Sequence, residues 1–314
     1  MFEYDIENST EEGGLKVNYY FEIEQESTPT ACIWYPKVDT KEDLLLTVNN
    51  DYKMKTWNPL SKSSRKTVLG PTYGGEIVKL KNLEIENNPD KFLIYATKQK
   101  VIGLIKLPLD GNPNRTMGLI AHPDAVVDIC PTNDGKYLFT TGGADLAVNM
   151  WKIDVNPIDD ALMLGGEGIE PFVNLIEGGR EGQTFTDMKD FFYYSMIRSK
   201  DENTTKTRKL DGTVPVDELP FLMRAMGHYP TEKEIENMKN EVKYSNYTDT
   251  GLQIQSFDLD TFIRLFVNHR PVYGIGKPHI EKAFASLLKG DTAMGLPQDA
   301  LVGKLKSEGE AILP

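Results

Sequence analysis

The sequence predicts a multidomain chain, β in its first half and α in its second. Three observations carry this. Residues 1–155 break into short runs rich in β-branched and aromatic residues, separated by Asn, Asp, Gly and Pro turns. Residues 184–307 carry apolar residues at helical spacing. Between them, residues 156–183 hold Gly165, Gly166, Gly168, Gly178, Gly179 and Gly182, which read as a linker with one short helix near 158–164. A chain of 314 residues has room for about two domains.

In the β half, strands are expected at 16–23, 30–35, 44–48, 53–57, 77–83, 92–97, 101–107, 126–130, 137–141 and 147–153. An internal repeat runs through them. His122 opens its best copy, Asn133-Asp134-Gly135 and Gly142-Gly143-Ala144-Asp145 supply the turns, and Trp151 ends the third strand. A weaker copy spans 30–57, with Asp51 in its turn and Trp57 at its close; a third, 76–107, keeps the strand rhythm without the Trp or Asp. These copies resemble blades of a WD40 propeller. The resemblance implies a hydrogen-bond chain through His122, Thr141, Asp145 and Trp151 that ties a blade together. It makes these residues, with Asp51 and Trp57, structural rather than catalytic. Residues 1–155 are thus expected to form a partial propeller of about three blades. Rings of this kind need more blades to close, so further sequence or another chain is expected to complete it.

The helical half begins with a helix at 186–198, whose apolar face carries Phe185, Met188, Phe191, Phe192, Met196 and Ile197. Gly212, Val214 and Glu218 then fit positions 6, 8 and 12 of a calcium loop starting at Thr207. A helix at 217–226 follows, with Leu219, Leu222, Met223 and Met226 on one face. After Gly227-His228-Tyr229-Pro230, Thr231 caps the next helix and Glu234 completes a capping box. Phe257 fits position 8 of a second loop, 243–261, nineteen residues long where about twelve are usual. A last helix covers 258–268. Residues 184–270 therefore resemble an EF-hand pair.

The ligand chemistry of such a pair is largely gone. Calcium needs oxygen donors at positions 1, 3 and 5 and a bidentate carboxylate at 12. The first loop supplies Thr207, Lys209, Asp211 and Glu218, beside Arg208; the second begins at Lys243 and ends at Thr261. No metal or other cofactor is expected, with Asp211 and Glu218 the residual candidates. A third EF-hand-like unit, incomplete, is expected over 271–314; Ile280, Phe284, Leu287 and Leu288 mark its helix, and Ala300 stands where a bidentate carboxylate is needed. The resemblance also implies an apolar groove lined by Phe192, Leu219, Met223, Met226, Met238, Phe262 and Phe266. Two readings stay open: these residues fill the pair's own core, or they receive a partner helix.

Composition narrows the function. A net charge of −12 disfavours nucleic acid and anionic membranes as partners. No apolar run approaches the ~18 residues of a membrane span, and residues 1–15 are too acidic and polar for a signal peptide. Cys32 and Cys130 are expected as buried thiols of a reducing compartment. There is no P-loop, no Gly-x-Ser-x-Gly elbow and no His/Cys metal spacing, and the four histidines are scattered, so no catalytic residue is assigned and no enzyme is expected.

The densest resemblance lies in Gly178-Gly-Arg-Glu-Gly182, Asp190-Phe-Phe-Tyr-Tyr194, Met223-Arg-Ala-Met-Gly-His-Tyr-Pro230, Glu236-Asn-Met-Lys-Asn-Glu-Val242 and Asn268-His-Arg-Pro271. These segments resemble the cilia- and flagella-associated protein 251 family, WD-repeat subunits of the calmodulin- and spoke-associated complex of motile cilia. The resemblance implies a scaffold of the ciliary axoneme at the base of a radial spoke. Its implied partners are the spoke-base proteins, the other members of that complex, the doublet microtubule and, indirectly, calmodulin. A calcium-responsive EF-hand regulator of ciliary motility is the alternative.

Overall fold

The computed structural model describes residues 2–24, 27–200, 203, 205, 207, 210–274, 276–287, 295 and 297–307. Strands β1 (Phe2–Thr10) and β2 (Gly14–Tyr20) form a hairpin that is exposed along almost all of its length. Strands β3 (Pro29–Trp34), β4 (Leu45–Asn49), β5 (Lys53–Asn58) and β6 (Ser63–Leu69) then make a four-stranded antiparallel sheet in chain order. The second sheet repeats that order with β7 (Ile77–Glu84), β8 (Lys91–Thr97), β9 (Val101–Lys106) and β10 (Thr116–Ile120). The third has β11 (Val126–Pro131), β12 (Tyr137–Gly142) and β13 (Val148–Lys152).

The sheets stack face to face, and strand periodicity explains how. In β8, Leu93 and Tyr95 join Leu46, Val48, Met54 and Val68 of the first sheet, while Phe92, Ile94 and Ala96 join Val126, Ile129 and Leu138 of the third. A strand covered on both faces has no polar side to show, so β8 reads as a continuous apolar run. The outer face of the third sheet stays open, with Val127, Phe139, Val148 and Met150 exposed. Cys32 and Cys130 are free and exposed rather than buried. Each falls on the outward beat of its strand, a distinction that a run's average hydrophobicity hides.

The stretch expected as a linker is folded. Helices α1 (Asn156–Leu164) and α2 (Glu170–Val173) each begin with a proline in the first turn, where a missing N–H does no harm. Phe172, Val173 and Ile176 enter the core of the helical half. Gly166, Gly168, Gly178 and Gly179 have positive φ, so they serve as corners between short helices rather than as a tether.

Helix α3 (Gln183–Arg198) leads to β14 (Thr213–Pro215), a 3-10 turn, and α4 (Leu219–Ala225). Next come α5 (Glu232–Tyr244), α6 (Tyr247–Thr250), β15 (Ser256–Asp258) and α7 (Leu259–His269). The capping box forms as expected: Glu234 N–H donates to Thr231 Oγ1 at 3.2 Å, and Thr231 N–H to a Glu234 carboxylate oxygen at 2.9 Å. β14 and β15 pair antiparallel with Val214 opposite Phe257, both buried. The surplus length of the second loop is taken up by α6, and Ile254 N–H closes it onto Lys243 O at 3.0 Å. Helices α8 (Lys277–Leu287) and α9 (Gln298–Ser307) complete the described chain and bury no residue. Arg208, Lys209, Leu288 and 308–314 lie outside the described residues. No helix among the described residues is long and apolar enough to cross a membrane.

Candidate functional site

In the third sheet the hydrogen-bond chain is present with one residue changed. His122 Nδ1 meets Asp145 Oδ2 at 2.7 Å, His122 Nε2 meets Thr140 Oγ1 at 2.8 Å, and Trp151 Nε1–H donates to the same hydroxyl at 2.9 Å. One proton order satisfies every link: indole to hydroxyl, hydroxyl to Nε2, Nδ1–H to carboxylate. The hydrogen bond from His122 holds the Asp145 carboxyl below its usual range. The hydroxyl is Thr140, not Thr141 as expected. Adjacent residues of a strand face opposite ways, and Thr140 is the buried one. Thr140→Val is expected to cost about 2 kcal/mol, because it leaves buried His122 Nε2 and half-buried Trp151 Nε1 without their partner, whereas Thr141→Val costs little; paired urea unfolding curves test this.

The first sheet lacks that chain. Trp57 is buried and stacks on Phe21 with ring centroids 5.5 Å apart, and its Nε1 has no hydrogen-bond partner among the described residues. Asp51 does not reach it; its carboxylate accepts from Ser27 on the exposed turn. None of the four histidines precedes β3, so the middle of the chain is unavailable here. Burial, not hydrogen bonding, anchors Trp57.

The residual metal candidates are both engaged by protein cations. Glu218 Oε2 accepts from Ser195 Oγ at 2.8 Å, from Arg198 Nε at 3.1 Å and from Arg198 Nη2. Asp211 pairs with Lys200 at 2.9 Å and accepts Thr213 N–H at 3.1 Å. The Lys200 bond, aided by Thr213, holds the Asp211 carboxyl down at about 2. Asp258 accepts from Thr261 N–H at 2.9 Å as the cap of α7. A guanidinium on the carboxylate that should be bidentate does not fit a calcium site. Among the described residues, no group of three or more His, Cys, Asp or Glu is placed to hold a metal ion.

The expected groove is a core. Phe192, Leu219, Met223, Met238, Phe262 and Phe266 are all buried in one cluster with Val214 and Phe257, and Met226 packs half-buried against it. Phe192 lies with its ring 6.1 Å from Phe257 and 6.3 Å from Phe262. Phe172, Val173 and Ile176 belong to the same buried cluster, a role hidden in sequence by the glycine-rich text around α2.

A polar cluster that sequence reading missed joins the two halves. Lys53 Nζ donates to Asn268 O at 2.5 Å and Arg270 O at 2.7 Å, two carbonyls at the open end of α7. Asn268 accepts Leu69 N–H at 3.1 Å and donates to Asp110 O at 3.2 Å. Glu241 accepts Thr67 N–H at 3.0 Å and meets His269 Nε2 at 3.0 Å. The outward N–H groups of edge strand β6 are thus sealed by the helical half. Gly111 is required beside it: a Cβ there would stand 2.0 Å from Asn268 Oδ1, and its φ is +84°. The one available signal was Asn268-His269-Arg270 itself, polar residues ending an apolar helix.

His228, in the hinge before α5, has a buried Nε2 with no hydrogen-bond partner among the described residues, and burial lowers its pKa below 6.5. As pH falls through 6.5 the unfolded chain takes up this proton before the folded chain does, so stability falls. His228→Leu is expected to flatten the pH dependence of Tm between pH 7 and 5 (roughly the window of an ordinary histidine).

Comparison with known proteins reaches both halves of the chain. The family model described as "CFAP251 C-terminal domain" matches residues 183–313. "Cilia- and flagella-associated protein 251" of Tetrahymena thermophila is 49% identical over 96% of this chain and 32% of its own length. The protein of that name from Mus musculus is 40% identical over 90% of this chain and 22% of its own. The one from Chlamydomonas reinhardtii is 32% identical over 54% of this chain and 21% of its own. The chain therefore spans a third or less of the length of these relatives.

Proposed function

The chain is a relative of cilia- and flagella-associated protein 251, and from that kinship we propose that it is a non-catalytic scaffold of the motile-cilium axoneme. Its place is the base of a radial spoke, where it links the spoke, the calmodulin-containing complex and the doublet microtubule. The ciliary address rests on the relatives' shared name; the observation that carries the proposal is 49% identity sustained over 96% of the chain. We read the stacked sheets as WD40 blades, supported by the chain through His122, Thr140 and Trp151. We read the helical half as an EF-hand pair, supported by Val214 opposite Phe257 between two helix pairs. Both modules bind proteins rather than perform chemistry, which accords with a scaffold.

The alternative, a calcium-responsive regulator, needs free carboxylates at Asp211 and Glu218, and both are paired with protein cations. Salt extraction of demembranated cilia tests the scaffold reading. The chain is expected to stay with the axoneme under salt that releases dyneins; release into the soluble fraction contradicts the proposal.

A further inference from the structure

We infer that Arg198 is a tethered replacement for the metal ion of the first loop, and that it holds this pair of helices in one fixed arrangement at any calcium concentration. The inference rests on reading residues 184–270 as an EF-hand pair.

In a loop of that kind the twelfth residue is the carboxylate that draws the outgoing helix toward the ion. Glu218 stands at that position and directly precedes α4. Its Oε2 is drawn instead to the end of α3. Arg198, the last residue of that helix, reaches it through Nε and Nη2, and Ser195, one turn earlier, adds a third donor. The guanidinium is also held from behind, 4.5 Å over the ring of Phe221 on α4. Planar, always charged and forked, arginine suits this double role in a way that lysine does not. Ser195 is buried and the Glu218 side chain is 16% exposed, so the carboxylate end of the pair is shielded, while the Arg198 side chain is 34% exposed and is held by its three contacts.

Asp211, in the same first loop, follows the same pattern. Lys200, two residues beyond Arg198, pairs with Asp211, which also holds Thr213 at the start of β14. Positive charge from α3 and the residues just after it therefore meets Asp211 and Glu218, the two carboxylates at ligand positions of the loop, while Asp217, at a non-ligand position, pairs with Lys239. An ion binds and leaves; a side chain on the same polypeptide stays. A helix pair closed by its own arginine has no calcium-dependent open state, which suits a fixed joint rather than a sensor.

The test uses the purified full chain, with amide hydrogen exchange at Val214 and Phe257 and thermal unfolding, each in millimolar calcium chloride and in EGTA. Wild type is expected to give the same protection and Tm in both. Arg198→Met is expected to speed exchange at both amides by roughly tenfold or more, the scale of a lost charged hydrogen bond. Glu218→Gln is expected to do the same, and the double variant no more than either alone. Should Arg198→Met fail to fold, Arg198→Lys carries the test, with exchange between that of wild type and Glu218→Gln. Calcium that raises the wild-type Tm overturns the inference, as do single-variant effects that simply add. The isolated chain answers this question whether or not the protein sits in the axoneme, so the two proposals fail separately.

Discussion

Replacing Lys53 by methionine is expected to cost about 2–4 kcal/mol of stability, because it leaves one buried and one half-buried carbonyl without this donor. The lysine is 6% exposed, and the carbonyls of Asn268 and Arg270 stand 2.5 and 2.7 Å from its nitrogen. Methionine keeps the apolar stem, so the loss isolates the polar tip. The same site makes a pH prediction. Burial, with the nearby charges of Arg270 and Lys55, lowers the Lys53 pKa from 10.5 to about 7. Between those values the unfolded chain holds the proton that the folded chain has released, so stability rises with pH. The neutral amine still has two hydrogens for two carbonyls. The Tm difference between wild type and Lys53→Met should therefore widen as pH is raised above about 7. A constant difference, or one that narrows, contradicts the assignment. Asn268→Ala removes the other half of the joint, and wild type should unfold in one transition where this variant shows two.

Phe262→Ala is expected to cost about 3–5 kcal/mol, the range for a fully buried aromatic side chain. Phe262 is 0% exposed and lies against Phe192 and Phe266, with centroids 6.3 Å away in each case. A groove residue behaves differently: its truncation weakens a partner and leaves the free protein's stability nearly intact. Denaturant unfolding of the isolated variant separates the two. A loss below about 1 kcal/mol returns Phe262 to a partner surface.

Local chemistry made much of this fold legible. The capping box of Thr231 and Glu234, the places of Val214 and Phe257 in their own loops, and the helices on either side all follow from short-range signals. So do nine of the strand positions in the three sheets, because β-branched residues between turn residues mark them directly. β6 and β10 were not legible. β6 reads Ser-Ser-Arg-Lys-Thr-Val-Leu, and its outward backbone N–H groups at Thr67 and Leu69 donate to Glu241 and Asn268 of the helical half. A strand stabilised by long-range contacts carries no local mark of them. The motif points to Thr141 rather than Thr140 because it fixes spacing only to within a residue, whereas the pleat decides which hydroxyl points inward. The joint at Lys53 brings together residues more than two hundred positions apart, and no window of sequence contains both.

The proposed role to be tested is that of a scaffold that holds axonemal proteins together. The most direct measurement is affinity purification of the tagged chain from demembranated motile cilia, with the co-purifying proteins identified by mass spectrometry. Radial-spoke-base proteins together with calmodulin should be recovered in stable amounts, in calcium chloride and in EGTA alike. Recovery of the chain alone contradicts the scaffold, and partners that come and go with calcium restore the regulator in its place.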